Sequence, residues 1–282
     1  MENYLNLFLT QVRIKGSEKT AKDYQQYIQR FLGKCQKALQ DIQYVDLLQY
    51  YDTEFSGLST NSKRTYMSGV LSYFRFLYEQ DIISKDITKG FVLPKPELKD
   101  MEYLTEEEAK KVASVCNLES RNPLRKRAMF IMFINTGMRA SELANLKLTD
   151  IAEDKIMVRH AKGNKFRTIP IHPSVREAIN EYIRKERRSA SPYLFVNQCG
   201  CQLSHININR DLERITAKSG IDKHITAHRL RDSFATIQYL NGSDLKSVQE
   251  TLGHENLQMT MHYVQKVDER RTQQILSSGV QF

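Results

Sequence analysis

No stretch of the 282 residues approaches the roughly 18 consecutive apolar side chains that a membrane-spanning helix requires. The opening MENYLNLFLTQVRIKG has neither a basic leading segment nor a small-residue cleavage site, so a secretory leader is not expected. Cysteine is scarce, and Cys35, Cys116, Cys199 and Cys201 lack the spacing of a disulfide framework. Cys199 and Cys201 stand near His205, but one intervening residue is tighter than zinc pairs use, and no second ligand pair follows. No metal and no cofactor is expected. Internal repeats and low-complexity tracts are missing too. The expectation is a globular cytoplasmic protein with no membrane partner, long enough for two domains.

What the chain has is positive charge. It carries 42 Lys and Arg against 33 Asp and Glu, a net of +9. Residues 1–100 hold 14 basic and 12 acidic side chains, and residues 101–282 hold 28 and 21. A basic surplus concentrated in the second part suits a nucleic-acid partner, but it does not separate catalysis from binding.

The pattern is mainly α with a small antiparallel β-sheet. Leu5, Leu7, Phe8 and Val12 begin one amphipathic segment, and Tyr24, Ile28, Phe31 and Leu32 mark a second after the start signal SEKT at 17–20. Residues 44–53 give a third helix. Residues 59–80 give a fourth, with Tyr66, Val70, Tyr73, Phe74 and Leu77 on one face and Lys63 and Arg64 near its start. Residues 1–92 therefore read as a helical domain, and the proline-bearing LPKPELKD at 93–100 as a linker. Residues 101–282 open on Thr105, a cap whose box Glu108 completes. An apolar helix then ends near Gly137. Alternation over 156–171 around Lys-Gly-Asn-Lys predicts two strands and a tight turn. Helices are predicted over 173–189, 204–219, 228–240 and 243–253.

Several polar residues stand at the ends of these elements. Arg139 follows the helix-ending glycine, and Lys162 precedes the hairpin turn. His228 and Arg231 are three apart, so one helix face is expected to present both. His254 and Tyr263 follow. Each alone is an ordinary surface or core residue. Together they meet one chemical demand. A tyrosine attacking a phosphodiester needs the developing negative charge neutralised, which two arginines can do. It also needs its own proton removed, and a proton given to the leaving oxygen.

The segments TGMRASELANLKLTDI (136–151), KGNKFRTIPI (162–171), HRLRDSFAT (228–236) and LGHENLQMTMHY (252–263) resemble, in that order, the motifs of the tyrosine recombinases of the phage integrase family. The layout is closest to XerC/XerD-like recombinases, and the likeness covers nearly the whole chain. It implies a helical, SAM-like core-binding domain followed by an α+β catalytic domain. It implies a site-specific recombinase that cuts and rejoins DNA through a 3′-phosphotyrosyl bond to Tyr263. Arg139 and Arg231 would clamp the scissile phosphate, Lys162 would protonate the 5′-hydroxyl, His228 would handle the tyrosine proton, and His254 would bond a phosphate oxygen. Lys63, Arg64, Lys165 and Arg167 are the expected DNA contacts. The implied partner is double-stranded DNA at the nucleoid, bound by a homotetramer, with a paralogous recombinase or accessory proteins as possible additions. The tail 264–282 would dock on a neighbouring protomer.

Asp232 stands where the family often has a second histidine, and Ala161 where glycine is common. Both adjoin catalytic-type positions without replacing them. Two other readings stay open: a type IB-like topoisomerase using the same chemistry, and a DNA-binding regulator without catalysis.

Overall fold

A computed structural model describes residues 2–97, 102–119, 121–159 and 166–253. The chain divides into two compact units, residues 1–99 and 100–282.

The first unit is helical. It comprises α1 (Glu2–Lys15), α2 (Glu18–Cys35), α3 (Tyr44–Glu54) and α4 (Thr60–Glu79), with a single 3-10 turn at Leu39–Asp41. The starts are encoded locally. The Ser17 hydroxyl accepts from the Thr20 amide and the Ser59 hydroxyl from the Ser62 amide, each satisfying a donor that the first helical turn leaves open. α2 packs on α4 and α1 through Phe8, Ile28, Phe31, Val70, Tyr73, Phe74 and Leu77, all buried. Leu7, grouped with this stripe in the sequence, faces solvent instead, because the buried row of α1 runs through Leu5, Phe8 and Leu9. The residues after α4 are fastened back to it. Asn61 bonds both backbone groups of Glu97, and Arg64 donates to the Pro94 carbonyl.

The second unit follows. Its elements are α5 (Glu106–Cys116), α6 (Pro123–Thr136), α7 (Ala140–Asn145), β1 (Lys155–Arg159), β2 (Phe166–Pro170), α8 (Pro173–Lys185), α9 (His205–Lys218), α10 (Ala227–Leu240) and α11 (Leu245–Leu252). A 3-10 turn at Leu148–Asp150 precedes β1. Thr105 and Glu108 close the capping box of α5. α6 is the central element. It is buried nearly all round, packs on α8, α10, α5 and α9, and carries Met129, Phe130, Met132 and Phe133 into an aliphatic core. Its open amino end takes a carboxylate, since Glu186 accepts from the amides of Leu124 (2.9 Å) and Arg125 (3.1 Å). β1 and β2 pair antiparallel with Lys155 opposite Pro170 and Arg159 opposite Phe166. Ile156 and Val158 of β1 and Ile169 of β2 point into the core, which fixes the register.

Candidate active site

Arg139 is placed by the end of one helix and the start of the next. α6 closes on Gly137 with φ 59°. A Cβ there would lie 2.5 Å from Phe234 Cδ1 and 2.6 Å from Leu252 Cδ2, so only glycine lets α10 and α11 close on this turn. Arg139 then caps α7 in extended backbone. Its amide donates to Glu142 Oε2 at 2.8 Å and its Nη1 to Oε1 at 3.0 Å. The Arg139 side chain is 41% exposed, within reach of an anion in solvent, whereas that of Glu142 is nearly buried.

Glu142 also faces a second arginine. Arg167 shares the inward side of β2 with Ile169, and its side chain is only 9% exposed. Nη1 and Nη2 donate to the two Glu142 oxygens at 2.8 Å each, and Nε donates to the Thr251 carbonyl at 2.8 Å. Burial alone would raise the Glu142 carboxyl. The hydrogen bonds and charge of Arg167, helped by the Arg139 amide and guanidinium, outweigh it and hold the group down at about 2.

Arg231 reaches the same place from within α10. Its side chain is almost fully buried, donating Nη1 to the Gly137 carbonyl and Nη2 to the Leu252 carbonyl, both at 2.6 Å. The Gly137 turn thus receives Arg231, and Arg139 follows it by two residues. His228 lies three residues earlier on α10 and is far more exposed. Its side chain is 75% exposed, with Nε2 3.9 Å from the buried Asp232 carboxylate. α10 packs on α6 and is buried from Leu230 to Thr236, which includes Arg231, while His228 sits in its exposed first turn.

Lys162, Lys165, His254 and Tyr263 lie outside the described residues. Lys63 sits 5.7 Å from the centre of the Tyr51 ring, and Arg64 is part-buried on Pro94. Cys199 and Cys201 are exposed free thiols in a turn where Asn197 Oδ1 accepts both of their amides. Among the described residues no cluster of three or more His, Cys, Asp or Glu could hold a metal. No described helix is long and apolar enough to cross a membrane. Sequence reasoning missed Glu142. Its signal was its place three residues after Arg139, where a capping carboxylate bonds back to the residue that opens the helix.

The profile of the phage integrase family matches residues 102–270. The chain belongs to the phage integrase family. It is a tyrosine recombinase of the XerC/XerD type, and it is 31% identical to tyrosine recombinase XerC of Bacillus licheniformis over 93% of this chain and 91% of that one. Tyrosine recombinase XerD of Halalkalibacterium halodurans is 33% identical over 86% of this chain and 84% of its own. Among solved structures the recombinase is similar to XerH bound to palindromic difH substrate in a post-cleavage complex. That likeness has a TM-score of 0.76 and 25% identity, covering 96% of this chain and 82% of XerH. A lambda integrase dimer bound to a COC′ core site matches with TM-score 0.78 at 20% identity over 93% of this chain and 94% of that one, which is a likeness of fold.

Proposed function

We propose that this recombinase cuts and rejoins specific DNA sites through a 3′-phosphotyrosyl intermediate on Tyr263, with four protomers acting on two duplexes. The observation that supports it most is that Arg231 donates to the carbonyls of Gly137 and Leu252, which brings it to the turn two residues before Arg139 and to the end of α11, two residues before His254. In this mechanism the Tyr263 oxygen bonds to phosphorus as the bond to the 5′-oxygen breaks. Arg139 and Arg231 offset the charge on the non-bridging oxygens, which develops in a site already ordered to receive it. Lys162 gives the 5′-oxygen its proton, His228 handles the phenol proton, and His254 donates to a phosphate oxygen. Rejoining is the reverse attack by a 5′-hydroxyl, so the strand is resealed without an outside energy source. Lys63, Arg64 and Lys165 supply DNA contacts. Residues 264–282 dock on a neighbouring protomer, a head-to-tail contact that can close a ring. The expected setting is the nucleoid in the cytoplasm.

The test is covalent capture on nicked duplexes drawn from a randomised pool. The intact chain should form a denaturant-resistant DNA adduct at Tyr263, and Tyr263→Phe should form none while binding DNA within a few fold of the parent. An adduct formed by Tyr263→Phe would overturn the assignment, and so would an intact chain that binds DNA and never becomes attached.

A further inference from the structure

We infer that Arg167 is a positioning residue for strand cleavage, joining the hairpin to Arg139 and to the end of α11, and does not itself touch DNA. The inference rests on the proposal that Arg139 meets the scissile phosphate. It stands on three observations. Arg167 lies on the inner side of β2, and its charge is met there by a carboxylate, whereas Arg231 donates to two neutral carbonyls among the described residues. Its guanidinium forks onto both oxygens of Glu142, the carboxylate that also holds the amide and the Nη1 of Arg139. Its remaining edge donates to the Thr251 carbonyl in the last turn of α11, where helix carbonyls lack partners of their own.

Arg167 therefore links three separate parts of the site. β2 follows the segment that carries Lys162, Glu142 orients Arg139, and Thr251 lies three residues before His254. Arg231 holds the neighbouring carbonyl, that of Leu252, so two arginines clamp one helix end. The geometry explains why arginine is required. One planar group must grip a carboxylate with two N–H bonds and a carbonyl with a third, and a lysine ammonium on a flexible stem cannot reproduce that fork. From the sequence, Arg167 is expected, with Lys165, to contact DNA. In the fold it serves a carboxylate.

The experiment compares Arg167→Lys and Arg167→Gln with the parent chain in two assays. Binding to a random-sequence duplex is titrated over a range of salt, and single-turnover cleavage is measured on a nicked duplex recovered by covalent capture with the parent. If Arg167 bound a phosphate, Arg167→Gln would lower the salt slope by about one, and Arg167→Lys would retain it. The positioning role predicts the opposite pattern: an unchanged salt slope in both variants, with cleavage slowed about tenfold to a hundredfold even by Arg167→Lys. Glu142→Gln should slow cleavage similarly, and the double variant Glu142→Gln with Arg167→Gln should be no slower than the worse single, because the two act as one unit. The double variant also covers the case in which Arg167→Gln alone fails to fold, since it removes both buried charges together. Parent-like cleavage by Arg167→Lys, a slope reduced by about one, or additive losses would each overturn the inference. If the parent forms no adduct at all, the phosphotyrosyl reading fails instead, and the salt slopes still report whether Arg167 touches DNA.

Discussion

The two units of this recombinase are held together by different means. The core of the first is largely rings. Phe31 meets Tyr50 and Phe74 edge-on at 4.9 and 5.5 Å, and Phe8 meets Tyr73 at 5.4 Å. Its ion pairs, such as Lys37 with Asp46 and Arg30 with Glu54, each have one well-exposed partner. The core of the second is mostly aliphatic, with Tyr182 on Phe195 the one ring pair among its described residues, and charge is driven through it. Glu119 lies between Lys126 and Lys218, with the first two side chains nearly buried, and Arg125 is paired to Asp211. Ring and aliphatic burial stabilises in proportion to area and tolerates small shifts. Buried ion pairs add little net stability, but they penalise displacement heavily. A unit that must fix Arg167 and Arg231 on partners far along the chain gains more from the second kind of interior.

The largest expected effect tests that contrast directly. Lys126→Met strands most of the Glu119 charge and should cost about 3–5 kcal/mol, read by urea unfolding and by faster amide exchange in α6 than in α2. Adding Glu119→Leu should recover most of the loss. A single variant that costs as little as a surface change would erase the comparison. A smaller effect is expected in the first unit. Phe31→Leu keeps most of the volume but breaks two edge-on ring pairs, so about 1–2 kcal/mol should go, with the exchange change now centred on α2. The smallest concerns Tyr73, whose buried hydroxyl has no hydrogen-bond partner among the described residues and whose pKa burial pushes up to about 12. Tyr73→Phe should leave stability within about 1 kcal/mol of the parent or raise it slightly, measured as the unfolding midpoint.

Much of the fold was legible because its signals are local. Ser17, Ser59, Thr105 with Glu108, and Gly137 mark helix ends by chemistry that acts within four residues. The two strands were legible from alternation, and their observed register follows the inward row of Ile156, Val158 and Ile169. The site was legible as a set of residue types but not as a geometry. Nothing within a few residues of Arg231 says that it will be buried on the carbonyls of Gly137 and Leu252, since those partners come from other helices. Arg167 was readable in principle, because it shares parity with Ile169 and so belongs to the core side of β2. Glu142 was overlooked because a carboxylate among basic residues reads as a surface charge until its two arginine partners are placed around it.

The long reach of these bonds bears on how the enzyme is made. Arg231 needs a carbonyl 94 residues behind it and another 21 residues ahead, and Arg167 needs one 84 residues ahead. During synthesis at roughly 5–20 residues per second, the Arg231 guanidinium waits one to four seconds for Leu252, and Arg167 waits several times longer for Thr251. Residues 1–99, whose contacts close among themselves, can fold well before that interval begins. A ribosome therefore displays a finished helical unit while the arginines of the other are still without their final partners. These long-range bonds close only when nearly the whole chain exists, so a truncated product carries the first unit without them.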